Sequence, residues 1–251
     1  MRTVYGPVPS WRLGRSLGVD PICQNACSFD CIYCQIGPTI KKTYKRDVFV
    51  DTKRIKRDLK EIMPIDADIV TFSSCGEPTL AKNLDEILEV VRDIVDLPVA
   101  ILTNSSTLPI SKVRRILRNF DKVIAKVDAP NDKIFNEINR PIKGIHLGNI
   151  ISGIKKFRKI YDGELEIQTM FVEKNKQYSK ELAELIKSLD PDLVYINTPL
   201  RPSLVEPLSE KEIKRITKDF EDLKFRSVYE YRYRGDVSPL DKEALRRRPA
   251  Q

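Results

Sequence analysis

The feature that most limits the folds open to this sequence is the alternation of short apolar runs with amphipathic stretches. Five runs rich in β-branched residues predict buried strands, at 69–72, 99–102, 123–127, 165–172 and 193–197. Between these runs, apolar residues recur three and four positions apart, as in helices with one buried face. Alternation of helices with continuously apolar strands predicts an α/β fold, in which helices cover a parallel sheet.

The remaining segments are predicted from capping residues and turn formers. Thr52 and Ser209 precede two further amphipathic stretches and are predicted N-caps. Residues 1–18 contain several glycines and prolines and are predicted to form an irregular lead-in. A last strand is predicted at 225–233. No repeat or linker divides the chain, so we expect one domain over 1–235, followed by a polar, basic tail at 236–251.

The charge balance is basic, with 44 Lys and Arg against 36 Asp and Glu and a formal net charge of +8. Many of the basic residues lie among apolar residues at helical spacing, so solvated helix faces and an anionic partner such as RNA both explain them. No apolar run is long enough to span a membrane, and Pro7 and Pro9 interrupt the N-terminus before a signal peptide could form. We therefore expect a cytoplasmic protein without membrane contact.

Three of the five cysteines form a C-x3-C-x2-C run at Cys27, Cys31 and Cys34. In a reducing compartment, cysteines bind metal or react more often than they form disulfides. A structural zinc site needs four ligands, and here only Cys23 could complete the set, because no second C-x2-C exists and His146 is isolated. Three cysteines on one loop fit a [4Fe-4S] cluster better, with its fourth iron open to a ligand.

The cysteine run, with Tyr33 before its last cysteine, resembles the signature of the radical S-adenosylmethionine (SAM) superfamily. Gly76-Glu77-Pro78, after an apolar strand, resembles the GEP motif of that superfamily, which holds the amino group of SAM. The resemblance implies that Cys27, Cys31 and Cys34 ligate a [4Fe-4S] cluster. It also implies that six residues contact SAM, namely Tyr33, Gly76, Glu77, Asn104, Asp128 and Asn197.

The same resemblance implies a fold and a set of partners. The expected fold is a partial (β/α)6 TIM-like barrel of about six parallel strands with outer helices. The expected chemistry is reductive cleavage of SAM to a 5′-deoxyadenosyl radical, with electrons from a ferredoxin or flavodoxin type of donor. Cys23 and Cys75 are left as spare thiols near the site. Trp11 and Arg12 are interpreted as a structural anchor, and His146 as a surface or packing residue.

Shorter stretches, among them 5–10 and 197–202, resemble a narrower, wyosine-synthase-like group. Wyosine synthases remodel a guanine in tRNA, so this likeness implies a tRNA-like or other anionic substrate. Those enzymes also carry an N-terminal cysteine set for a second cluster, whereas no cysteine precedes Cys23 here. Two alternatives stay open: an activating enzyme that generates a glycyl radical on a partner protein, and a non-catalytic zinc or iron–sulfur protein.

Overall fold

A computed structural model describes residues 2–23 and 25–230 of the chain. Its strands are β1 Val4–Ser10, β2 Gly14–Val19, β3 Ala26–Cys27, β4 Lys41–Lys42, β5 Ile69–Phe72, β6 Val99–Thr103, β7 Lys122–Lys126, β8 Glu164–Met170, β9 Leu193–Asn197 and β10 Phe225–Ser227. Eight of them form one sheet in the order β1-β2-β5-β6-β7-β8-β9-β10, and β3 pairs with β4. From β2 to β10 all neighbours are parallel, whereas β1 is antiparallel to β2.

Helices connect the successive parallel strands. They are α1 Thr52–Lys60, α2 Leu84–Ile94, α3 Ser111–Leu117, α4 Asp132–Ile138, α5 Leu147–Arg158, α6 Ser179–Lys187 and α7 Glu210–Ile216. Each helix buries one apolar face, as the spacing of its residues predicts. The predicted α/β fold, a partial barrel with outer helices, is confirmed. Among the described residues, no helix has the length and apolar character needed to cross a membrane.

The N-terminal prediction is wrong, because residues 4–19 form the hairpin of β1 and β2 instead of an irregular lead-in. Gly14 adopts a φ of +70° after the turn and so allows the chain to reverse. The prolines lie in β1, an edge strand, where a missing N–H donor costs little. Because β2 joins the sheet as a parallel strand beside β5, the sheet has seven parallel strands rather than about six.

Three smaller predictions can also be compared with the structure. Asp51, not Thr52, caps α1, because its carboxylate accepts a hydrogen bond of 2.7 Å from Lys53 N. Ser209 caps α7 as predicted. The last strand ends at Ser227, and residues 228–230 form a turn. Residues 231–233 of the predicted strand and the predicted tail at 236–251 lie outside the described residues.

The curl of the sheet is visible in a contact between the hairpin at one end and β9, the second strand from the other end. Trp11, in the turn of the N-terminal hairpin, meets Tyr195 of β9 edge-on, with ring centroids 5.4 Å apart. Both rings belong to a small apolar cluster that Leu13 and residues from β5, β6 and β7 complete. Trp11 is packed as expected of a structural anchor, whereas Arg12, for which the same role was predicted, lines the larger of the two cavities described below. The cluster leaves the carboxyl ends of the strands open for a site.

Candidate functional site

The cysteine loop supplies three half-buried thiols, at Cys27, Cys31 and Cys34. Hydrogen-bond donors point at two of them. The amide N–H of Phe29 and the side-chain Nδ2 of Asn104 lie 3.5 and 3.4 Å from Cys27 Sγ. Nδ2 of Asn139 lies 3.5 Å from Cys31 Sγ. Donors so placed stabilise thiolates, which are the form that binds metal.

Burial raises the pKa of Cys31 to about 11, against the opposing effect of Lys126. Burial, followed by the nearby Glu77 carboxylate, raises the pKa of the Cys27 thiol further above its usual value. Unligated, these thiols hold their protons at neutral pH, so cluster assembly must release protons. Three thiols on one loop, with N–H donors aimed at two of them, fit a [4Fe-4S] cluster.

A site for a single metal ion, such as zinc, would need its ligands close together. Within residues 2–23 and 25–230, no three His, Cys, Asp or Glu side chains come close enough together to share one metal ion. A [4Fe-4S] cube binds each cysteine through a separate iron, so its ligands have no need to converge on one point.

The loop after β5 lies directly against the cysteine loop. A Cβ atom added at Gly76 would lie 2.1 Å from the carbonyl oxygen of Ala26, so only glycine allows this approach. Glu77 N donates a hydrogen bond of 3.0 Å to the same oxygen. The Gly-Glu-Pro segment is thereby held beside Cys27.

The Glu77 carboxylate is buried and receives four hydrogen bonds from the protein. Its Oε1 accepts from Thr79 N, Thr79 Oγ1 and Thr103 Oγ1 at 3.1, 2.6 and 2.7 Å, and its Oε2 accepts from Asn104 N at 2.6 Å. Burial raises its pKa, whereas these donors favour the carboxylate. Glu77 thus ties the loops after β5 and β6 together, with three donors on Oε1 and one on Oε2, and its contact with SAM stays a prediction.

Asn104 follows β6 and lies beside the cysteine loop. Its Nδ2 donates to Ser28 Oγ at 2.9 Å as well as approaching Cys27 Sγ, and its Oδ1 accepts from Ser106 N. The side chain therefore supports a predicted cluster ligand. Its predicted contact with SAM stays a prediction.

Tyr33 and Asp128 form one buried network. Tyr33 donates from its hydroxyl to Asp128 Oδ2, which also accepts from Asn139 Nδ2 at 2.8 Å, and Asp128 Oδ1 accepts from Met170 N at 2.8 Å. Burial raises the pKa of the Tyr33 phenol, and the Asp128 carboxylate raises it further. Asp128 lies behind Tyr33 and lines neither cavity described below, so the structure gives it a positioning role, and direct contact with SAM stays a prediction.

Lys126, at the end of β7, is a site residue that the sequence reading missed. Its Nζ lies 4.2 Å from the centroid of the Tyr33 ring and 3.7 Å from Asp128 Oδ2. Gln168 was missed as well, and its Oε1 is buried without a hydrogen bond among the described residues. Both residues lie at or near the ends of strands, and this position is the one sign in the sequence that they belong to the site. Many structural residues share that position, so it does not identify site residues by itself.

Two cavities meet at the carboxyl ends of the strands. One, of about 280 Å³, is bounded by Cys31, Cys34, Tyr33 and Asn197 as well as by the N-terminal hairpin. The other, of about 170 Å³, is bounded by Cys27, Gly76, Glu77 and Asn104. Both are also bounded by Ser73, Ser74, Leu102, Lys126 and Gln168. Of the nine predicted site residues, all except Asp128 therefore line one of two adjoining cavities.

Three other residues singled out in the sequence, Cys23, Cys75 and His146, lie outside these cavities. Cys23 N and Cys75 N donate to the two oxygens of one carboxylate, that of Asp20, at 2.9 and 3.0 Å. Burial raises the pKa of Cys23 to about 12. His146 is exposed at the start of α5, in agreement with its predicted surface position.

Comparisons with known proteins identify the family to which the chain belongs. Residues 22–186 match the family model of the Radical SAM superfamily. A UPF0026 protein of Methanocaldococcus jannaschii is 42% identical over 87% of this chain and 70% of its own length. A UPF0026 protein of Synechocystis sp. is 42% identical over 79% of this chain and 76% of its own length. Neither is named as a wyosine synthase, so that narrower affiliation stays a prediction.

Solved structures share the fold. Streptococcus suis SuiB, bound to the precursor peptide SuiA, superposes with a TM-score of 0.65 at 15% identity, over 86% of this chain and 50% of SuiB. This chain thus spans about half of SuiB. A second SuiB structure, bound to S-adenosylmethionine, gives a TM-score of 0.63 at 15% identity, over 84% of this chain and 49% of that one. The non-catalytic alternative is overturned, because the chain belongs to the Radical SAM superfamily, with a [4Fe-4S] cluster and SAM as its cofactors.

Proposed function

We propose that this radical SAM enzyme modifies RNA, with a tRNA-like molecule as its substrate and a ferredoxin or flavodoxin type of protein as its electron donor. When bound, the reduced cluster and SAM supply a 5′-deoxyadenosyl radical that abstracts a hydrogen atom from the substrate. The residues of the chain bind and orient the two cofactors and the substrate, and they keep bulk water out.

The observation that carries this proposal is the composition of the larger cavity. Cys31 and Cys34 line it together with Arg12 and Arg201, and Lys126 also contributes to its wall. Three cationic side chains around one cavity attract an anionic substrate and discriminate against a neutral one. The net charge of +8 adds a longer-range attraction for a polyanion such as RNA.

The roles of individual residues follow from their positions. Cys27, Cys31 and Cys34 would hold three irons. Lys126 has a cationic Nζ suited to a carboxylate, while the Oε2 of Glu77 suits an ammonium group. The amide groups of Gln168 and Asn197 face the cavity from β8 and β9 and can hydrogen-bond a nucleobase or a ribose. Tyr33, held by Asp128, would keep its ring in a fixed orientation at the cavity wall.

The test compares tRNA nucleosides from a strain lacking the gene with those from strains complemented by the native chain or by Cys31→Ala. Mass spectrometry should show one modified nucleoside that is missing without the gene, restored by the native chain and still missing with Cys31→Ala. Identical nucleoside profiles in all strains would contradict an RNA substrate. If a glycyl-radical enzyme were inactive in the deletion strain at the same time, the activating-enzyme alternative would replace it.

A further inference from the structure

A strip of exposed surface follows the cysteine loop in the chain. It comprises Ile36, Ile40, Lys41, Lys42, Lys45 and Val48, and we refer to it as the basic-apolar face. Its three apolar residues are unusually open to solvent, with Ile40 at 83%, Val48 at 53% and Ile36 at 39% exposure. Exposed apolar side chains interspersed with lysines along one segment are typical of a surface that another molecule covers.

This face lies one strand away from a predicted cluster ligand. In the parallel pair of β3 and β4, Lys42 is the register partner of Cys27. Thr43 N donates to the carbonyl oxygen of Cys27 at 2.9 Å, and Lys41 N donates to that of Asn25 at 3.1 Å. Paired strands are about 4.8 Å apart. A molecule bound on β4 would therefore be separated from the backbone of Cys27 by one inter-strand spacing.

In the described part of the chain, the three lysines of the face are not held in ion pairs, and the one exposed acid in the same segment is Asp47, next to Val48. Among the described residues, Lys41, Lys42 and Lys45 are exposed and form no ion pair. Arg46 instead binds the carbonyl oxygens of Thr79 and Ala81 at 2.9 and 2.7 Å, which fixes the far end of the segment to the body of the protein. The lysines thus form a positive surface on an anchored segment.

We propose that the basic-apolar face docks an acidic one-electron carrier protein of the flavodoxin or ferredoxin type. The carrier loses one electron and the cluster gains it, with no bond made or broken. The lysines steer the acidic partner, and Ile40 and Val48 are buried when it docks. This inference depends on the cluster and on a protein electron donor, and it is independent of the RNA substrate proposed above.

The mixture of side chains favours a protein partner over RNA. Phosphate groups would pair with the lysines but would gain nothing from covering Ile40 and Val48, whereas the contact surface of a carrier protein has apolar groups to pack against them. Lys41 Nζ also lies 5.2 Å from the centroid of the Phe49 ring, so this lysine contacts the aromatic residue next to Val48. RNA binding at this face is an outcome that the test can detect.

The experiment uses the anaerobically reconstituted holoenzyme and a purified flavodoxin as the probe. Lys41→Glu/Lys42→Glu reverses the charge of the face, and Lys155→Glu/Lys156→Glu, on the exposed side of α5, changes the net charge equally elsewhere. We expect the first variant to bind flavodoxin about tenfold more weakly than the native enzyme at low salt, with the difference shrinking at high salt. The α5 variant should stay within about twofold, since its charges lie outside the face.

A second set of readouts separates docking from cofactor loss. Iron content and SAM cleavage driven by dithionite should match the native enzyme in Lys41→Glu/Lys42→Glu, whereas cleavage driven by reduced flavodoxin should fall in proportion to binding. Ile40→Ser alters an exposed apolar residue without changing charge, and it should also weaken flavodoxin binding. If the double variant loses iron, the flavodoxin affinity of Ile40→Ser is the test of the docking site.

Three outcomes would overturn the inference. Native-like flavodoxin affinity in both face variants would exclude the site. Equal losses in the face and α5 double variants would indicate a non-specific charge effect. Loss of tRNA binding with flavodoxin binding intact would assign the face to RNA. An unchanged tRNA nucleoside profile, by contrast, would remove only the proposed substrate and would leave this docking site standing.

Discussion

At the scale of single residues, Gly76 has the most restrictive position in the site, because the Ala26 carbonyl occupies the space of a side chain. We expect Gly76→Ala to separate the loop after β5 from the cysteine loop, with a loss of about 1–3 kcal/mol in the free energy of unfolding. Urea denaturation of the apoprotein measures this loss. Iron content after reconstitution should fall too, since Cys27 directly follows Ala26.

Gly148→Ala is the matched control for that substitution. A Cβ atom at Gly148 meets nothing within 4 Å, and the residue lies within α5, so alanine should leave stability unchanged or raise it slightly. Equal stability of the two alanine variants would contradict the role assigned to the Gly76 contact.

The sequence predicted the residue types of the site better than their roles. The cysteine spacing and the Gly-Glu-Pro segment directed attention to the correct loops. The four hydrogen bonds that Glu77 accepts, and the position of Asp128 behind Tyr33, depend on how separate loops meet in the fold, which spacing does not reveal. Lys126 was missed for the same reason, because its position over Tyr33 exists only once β7 and the cysteine loop have met.

At the scale of secondary-structure elements, the first turn of α7 contains a titratable carboxyl group, that of Glu212, held by several hydrogen bonds. A hydrogen bond from Lys176, followed by bonds from Ser209, lowers the pKa of Glu212 to about 2. A carboxylate whose pKa is lowered by folding stabilises the native state above its unfolded pKa, and this contribution is lost as pH falls toward the folded value. We therefore expect the stability difference between the native apoprotein and Glu212→Gln to be constant near neutral pH.

That difference should then shrink as pH falls from about 5 to 3, as measured by urea denaturation at each pH. Glu210→Gln is the control, because Glu210 lies in the same first turn but outside the capping box. A pH-independent difference for Glu212→Gln, or an identical pH dependence in Glu210→Gln, would show that the Lys176 and Ser209 bonds are not responsible.

Strands in the buried part of the sheet were predictable, whereas those of the N-terminal hairpin were not. β5 and β9 have the predicted bounds, β6 extends one residue further, and β7 is shifted by one residue toward the N-terminus. Each is buried from both sides and so reads as an uninterrupted apolar run. β1 and β2 contain glycine, proline and serine, and they form strands because the sheet provides a partner for β2, not because their residues favour extended structure.

At the scale of the whole molecule, Trp11 holds the curled sheet by joining the N-terminal hairpin to β9. Trp11→Ala should cost about 3–5 kcal/mol of unfolding free energy, since a large ring is removed from a packed cluster. Trp11→Phe should cost much less, because it retains an aromatic ring, and because Trp11 Nε1 is buried without a hydrogen bond among the described residues. Chemical denaturation followed by circular dichroism measures both.

Tyr195 provides the internal check on this assignment. Tyr195→Leu removes the opposing ring, so Trp11→Ala in that background should cost less than in the native chain, as a double-mutant cycle would show. Additive effects of the two substitutions would mean that the hairpin and β9 are stabilised independently.

The cysteine loop and the loop after β5 meet through backbone atoms, with α1 and β5 between them in sequence. The length of the intervening chain matters little to such a contact, because residues added at an exposed position such as Glu61, directly after α1, increase the cost of loop closure only slightly. Insertions and deletions there should leave the site intact. Searches for relatives that demand a fixed interval between the cysteine run and Gly-Glu-Pro would therefore overlook proteins with the same site.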